Sequence, residues 1–194
     1  MTEKNSPSQS IEEVVLVNEK NEVLGTMPKS EVHGQQTPLH RAFSCFLFYP
    51  DGSFLLQQRA SSKKTWPLVW SNSCCGHPFL NEDNLTAAKR RLAFEIGITQ
   101  LDFLEEIAPY RYCFVRDGVM ENEICPIIVG FTSQQPSPNA DEVEAVRFIQ
   151  WSDFVEDTKK NPQHWSDWCV EETEILSKHP YFLELQKKYL SLPR

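Results

Sequence analysis

WPLVWSNSCCGHPFLNEDNLTAAKRRLAFEIGI, Trp66 to Ile98, sets two adjacent thiols, an imidazole and two indoles directly ahead of an amphipathic segment. Leu85, Ala88, Leu92 and Ile96 recur at helical spacing from Asn84 to Ile96, with Asn84 suited to the N-cap and Gly97 to the C-terminal stop. Reactive side chains therefore form a wall that leads straight into a helix. Arg91 and Glu95 lie four apart and share a face of it. They are either a surface pair worth roughly 0.3–0.5 kcal/mol or part of a site.

Upstream, Glu13 to Asn18 and Glu22 to Thr26 read as an opening hairpin around Glu19–Asn21. Residues 28–40 carry Pro28, Gly34 and Pro38 without a period, so His33 and His40 are expected in or beside a loop. Ala42 to Tyr49, the turn Pro50-Asp51-Gly52, and Ser53 to Gln58 predict a central hairpin. The basic run Arg59 to Lys64 is either solvated or turned toward a phosphate.

Downstream, 107–116 and 123–131 predict strands joined through Asp117-Gly118, and Ala145 to Trp151 another, giving a mixed sheet. Gln134 to Asn139, with Pro136 and Pro138, is a loop. From Gln163, Trp165, Trp168, Cys169, Glu172 and Leu176 trace one side of a terminal helix, and Pro180 separates a last short one.

A chain of 194 residues, 40% apolar, supports one sizeable core, so a single domain over 1–194 is expected, with the polar stretch 1–10 flexible. The 27 acidic and 19 basic residues leave a net charge of −8. That argues against nucleic acid as a partner, and an anionic ligand must meet a local basic cluster or a metal. No run approaches the about 18 apolar residues of a membrane span, and no apolar leader is present, so no membrane partner and a cytoplasmic location are expected. The six cysteines are then reduced; Cys45, Cys113, Cys125 and Cys169 are expected as small core or wall residues.

Glu121 and Glu123, two apart on a strand, point to one face: either paired ligands or a solvated acidic edge. Cys74 and Cys75 likewise face opposite sides, so only one can enter a pocket.

Together, His33-x6-His40, WPLVWSNSCCGHP and Glu121-Asn122-Glu123 resemble type I isopentenyl diphosphate isomerases, from about Val14 to Trp168. That family belongs to the Nudix superfamily. The resemblance implies an α+β, α/β/α-like Nudix fold: a mixed β-sheet flanked by helices, with an N-terminal hairpin and C-terminal helices. Of the signature G-x5-E-x7-R-E-U-x-E-E-x-G-U, where U is aliphatic, Gly76, Glu82, Arg90, Leu92, Glu95, Gly97 and Ile98 fit. Arg91 and Phe94 replace two metal-binding glutamates. A pyrophosphate hydrolase needs clustered oxygen ligands to activate water, so the departure favours an isomerase.

The resemblance implies that isopentenyl and dimethylallyl diphosphate interconvert through a tertiary carbocation. It makes Cys75 and Glu123 the acid/base pair, with Tyr112 assisting and Trp168 stabilising the cation, and Cys74 structural. It assigns the diphosphate to Lys29, Arg59, Lys63 and Arg91, and magnesium to Glu95 with the Cys75 backbone carbonyl. Finally it gathers His33, His40, His77, Glu121 and Glu123 around a second divalent ion, zinc or manganese, in a monomer or weak dimer. His164 and His179 stay outside every motif. Two other readings remain open here: a Nudix-type diphosphate hydrolase, distinguished by its products, and a non-catalytic metal- or diphosphate-binding module.

Overall fold

A computed structural model describes residues 12–190; the expected flexibility of 1–10 lies outside them. The chain runs β1 (Glu13–Val17), β2 (Val23–Pro28), α1 (Lys29–Val32), β3 (His40–Arg41), β4 (Phe43–Phe48), β5 (Ser53–Arg59), β6 (Trp70–Ser71), β7 (Cys74–Gly76) and α2 (Asn84–Ile96). It continues with β8 (Phe103–Ala108), β9 (Arg111–Arg116), β10 (Val119–Ile124), β11 (Ile127–Phe131), β12 (Val143–Gln150), α3 (Trp151–Lys160), α4 (Asp167–Lys178) and α5 (Pro180–Leu190).

Two mixed sheets result. One has the order β2-β1-β3-β10-β9; the other has the order β12-β5-β4-β11-β8, with β6 on β5 and β7 on β4. Two chain segments pass side by side from the first sheet into the second, one through Ala42 and one through Cys125-Pro126. β3 pairs with β10, and β4 with β11, in parallel. Between them Ala42 N–H donates to the Ile124 carbonyl at 2.9 Å and Ser44 N–H to that of Pro126 at 3.1 Å. Residues 40–45 and 123–127 therefore meet at the seam of the two sheets.

Every side chain of β4 is buried, because helices cover both faces of the second sheet. Phe43, Cys45 and Leu47 pack with Ala88, Leu92 and Ile96 of α2. Phe46 and Phe48 face the other way, onto Trp151, Phe154 and Phe182 of the C-terminal helices. This is the expected α/β/α layering.

Several local expectations are corrected. The hairpin at Pro50-Asp51-Gly52 closes at Phe48↔Phe54 alone, after which β4 turns to β7 and β11, and β5 to β12. Each long strand expected over 107–116 and 123–131 is broken next to a proline, Pro109 or Pro126, which has no N–H for the ladder. Asp117 and Gly118 join β9 to β10 with φ of 52° and 77°, the left-handed pair a tight hairpin requires.

Within 28–40 a short helix, α1, precedes His33. Asp83, not Asn84, caps α2, its carboxylate accepting from Thr86 N–H at 2.9 Å. Trp151 opens an unforeseen helix, α3, and Trp165 lies ahead of α4 rather than in it. Cys113 is exposed on edge strand β9, not a core residue.

Candidate active site

A cleft of about 870 Å³ opens at the seam, lined by residues of both sheets, α1, α2 and α4. β7 settles which thiol enters it. Cys74 is fully buried under α2, while Cys75 lines the cleft opposite Ser44. Gly76 lets helix and strand approach closely, since a Cβ there would lie 2.8 Å from Arg91 Cγ and 3.0 Å from Phe43 Cζ.

The Cys75 thiol donates to Asn72 Oδ1 at 3.2 Å and lies 3.5 Å from Ser44 Oγ. Behind it Glu172 is completely buried, and its Oε2 has no hydrogen-bond partner. Burial, then the charge of Glu172, pushes the Cys75 thiol up to about 12. Burial likewise holds the Glu172 carboxyl well above the carboxylate range. The Cys75 thiol therefore keeps its proton at neutral pH.

Three imidazoles face one another beside Glu121 and Glu123 of the cleft-lining strand β10. The ring centroids of His33, His40 and His77 are 5.2–5.8 Å apart. One ligand atom from each, with one from Glu123, falls within 4.8 Å of the others. Glu123 Oε1 faces His40 Nε2 at 3.2 Å and His77 Nε2 at 3.0 Å, while Oε2 accepts from the Tyr112 hydroxyl. Glu121, on the same face of β10, brings Oε2 to 2.9 Å from His33 Nε2. That approach lacks hydrogen-bond geometry, and both atoms are buried without a partner, as is His77 Nδ1.

Burial pushes His77 down to about 3, leaving it neutral. For His40 burial works against the proton, but the hydrogen bond and charge of Glu123 outweigh it and raise the pKa. Glu123 is buried too, yet its two imidazole partners hold it well below the usual carboxylate range. Uncharged imidazole, carboxylate and orphaned buried acceptors are what a divalent ion requires, so the donor set fits one.

The other end of the cleft is basic but already paired. Lys63 and Arg91 both contact Glu142 Oε2, Arg91 at 2.8 Å; Arg91 also donates to Glu95 Oε1, and Lys29 to Glu12 at 3.0 Å. Arg59 donates to the Thr65 carbonyl and hydroxyl at 2.9 Å. Glu95 Oε2 accepts from Gln57 Nε2 at 3.2 Å. Trp168 closes the wall: it stacks on Tyr112 at 5.8 Å, has the Arg59 guanidinium at 5.7 Å, and donates Nε1–H to Asn72 Oδ1 at 3.2 Å.

The cleft thus gathers Cys75, Glu123, Tyr112, Trp168, His33, His77, Glu121, Glu95 and the four cations, with His40 buried just behind. Asn72, Ser44, Glu142 and Glu172 were missed as site residues. Glu172 alone left a sequence signal, a carboxylate on the apolar stripe Trp168–Cys169–Leu176.

Residues 38–169 match the NUDIX domain. The chain is similar to the isopentenyl-diphosphate Delta-isomerase of Saccharopolyspora erythraea, 42% identical over 86% of this chain and 86% of that one. It is similar also to that of Agromyces mediolanus, 40% identical over 88% of this chain and 83% of the relative. Among solved structures, one from Deinococcus radiodurans superposes with a TM-score of 0.66 at 17% identity, covering 84% of this chain and 98% of that one. A MutT protein from Methanosarcina mazei gives 0.57 at 14% identity, covering 73% and 96%. Those two likenesses concern the fold alone.

Proposed function

Because the chain belongs to the NUDIX family and, within it, to the isopentenyl-diphosphate Delta-isomerases, we propose that it interconverts isopentenyl and dimethylallyl diphosphate by proton addition and removal at carbon. One observation carries the mechanism. Cys75, on β7 of one sheet, and Glu123, on β10 of the other, line the same cleft, whose far end is basic.

An alkene is a weak base, so a well-placed acid must protonate the terminal carbon, and a second group must take a proton from the carbon beside the resulting tertiary cation. A thiol and a carboxylate from different sheets can address the two sides of one substrate. Asn72 and Ser44 fix the thiol, and the Tyr112 hydroxyl gives Glu123 a partner through which a proton can pass. The face of Trp168 offers the cation an attraction of about 2 kcal/mol once water is excluded.

In this reading His33, His40, His77, Glu121 and Glu123 hold zinc or manganese, and Glu95 with the Cys75 carbonyl holds magnesium. These ions would orient Glu123 and offset the diphosphate charge. Lys29, Arg59, Lys63 and Arg91 bind the diphosphate itself. Hydrolysis is disfavoured because Arg91 and Phe94 stand where carboxylates would bind metal and activate water.

The test is a product assay with isopentenyl diphosphate and magnesium. Dimethylallyl diphosphate without released phosphate or pyrophosphate is expected, and Cys75→Ala should abolish it. Released phosphate, or a Cys75→Ala enzyme as fast as the parent, contradicts the reading.

A further inference from the structure

The basic end of the cleft holds as many obstacles to an anion as invitations. Lys29, Arg59, Lys63, Lys64 and Arg91 bring five positive charges, but Glu12, Glu95 and Glu142 sit among them. Glu142 is the most intrusive. Its Oε2 touches both Lys63 and Arg91, so a ligand anion must compete with it for these two cations, and its side chain is only 18% exposed. Burial opposes its charge, yet Lys63 and Arg91 outweigh that and keep it ionised.

Its backbone is fastened as well: its carbonyl accepts from Ala60 N–H at 3.1 Å and its N–H donates to Asn139 at 3.0 Å. The carboxylate is therefore a built part of the pocket rather than a stray surface group.

We propose that Glu142 makes anion binding in this cleft conditional on magnesium, so that the site accepts a metal-bound diphosphate and rejects the bare anion. The inference rests on the diphosphate reading above and goes beyond it. With Glu142 in place the five cations exceed the neighbouring carboxylates by two charges, less than the about three negative charges that two linked phosphates carry. A divalent ion adds two positive charges and turns the contact between Glu142 and the incoming phosphate from repulsion into a shared attraction. Glu142 acts through charge and does not touch the reacting carbons, so it is a specificity-determining residue.

Calorimetric titration of the parent, Glu142→Gln, Glu142→Ala and Glu144→Gln with inorganic pyrophosphate, with and without magnesium, tests this. Glu144 is a control: it carries the same charge two residues on, and its carboxylate faces Ser61 N–H at 3.4 Å instead of the cations. In both Glu142 variants metal-free affinity should rise about tenfold, with the gain from added magnesium shrinking by a similar factor, while Glu144→Gln follows the parent.

Unchanged metal-free affinity in the Glu142 variants, or weaker binding in both conditions, overturns the proposal, as does an equal effect from Glu144→Gln. Circular dichroism melts establish that each variant is folded. A parent that binds no pyrophosphate even with magnesium overturns instead the diphosphate reading on which the proposal stands.

Discussion

Cys75 donates its thiol proton to Asn72 Oδ1 at 3.2 Å, and the same oxygen accepts from Trp168 Nε1 at 3.2 Å. The two walls of the reaction chamber are thereby tied to one amide. Its orientation is fixed in turn, since Asn72 Nδ2 donates to the Cys45 and Cys74 carbonyls at 3.1 and 3.0 Å. Asn72→Ala should lower kcat by roughly tenfold or more with a smaller change in KM, because it releases the thiol and the indole but leaves the basic end intact. A variant whose kcat matches the parent would show that this tether does not position Cys75.

Glu123 and the three histidines give a prediction about metal. Three buried polar atoms, His33 Nε2, His77 Nδ1 and Glu121 Oε2, lack partners, and a bound ion relieves such costs. Extraction with a chelator should lower the melting temperature and abolish turnover, with zinc or manganese restoring both. Glu123→Gln should reduce metal content on elemental analysis and cut kcat by about 10²–10⁴-fold, the usual reach of a general acid or base. Full metal content in a Glu123→Gln protein would remove that residue from the ligand set.

Glu172 makes a prediction about pH. Its folded-state pKa is raised, foremost by burial. The folded protein keeps a proton that the unfolded chain gives up above about pH 4.3. The stability Glu172 contributes is complete below the unfolded pKa and is lost as pH rises toward the folded one. Glu172→Gln removes that dependence, so its melting temperature should gain on the parent as pH rises above the unfolded value, in melts taken from pH 5 to pH 8. A constant difference across this range would mean that Glu172 is ionised in the folded protein.

Gly76 yields a packing prediction. A methyl group at this position would press on Arg91 Cγ and the Phe43 ring. Gly76→Ala should destabilise by about 1–3 kcal/mol in denaturant unfolding, since Phe43 is fully buried and cannot move aside. Displacement of Arg91 should also raise KM. A parent-like midpoint and KM would mean that the strand and helix have slack here.

Elements with a strong local signal were legible from the residues alone. The period of Leu85, Ala88, Leu92 and Ile96 and the glycine stop gave α2, its cap one residue off, and the β-branched start gave β1 and β2. The breaks at Pro109 and Pro126 could have been read from proline chemistry. Helix α3 was readable too, since Trp151, Phe154 and Thr158 fall on one buried face.

What no local pattern could supply was the partnership of distant residues. Strands β3 and β10 run parallel, and that pairing alone places His40 opposite Glu123. Asn72 and Ser44 looked like ordinary polar residues until the seam brought them to Cys75. Glu142, in a loop-like stretch with no motif, turned out to sit on the cations expected to be free for an anion.

The central claim is proton exchange at carbon, and incubation with isopentenyl diphosphate and magnesium in heavy water tests it most directly. Deuterium entering both isopentenyl and dimethylallyl diphosphate, with no phosphate released and with the exchange lost in Cys75→Ala, is the result predicted. Unlabelled, unchanged substrate, or liberated pyrophosphate, would contradict it.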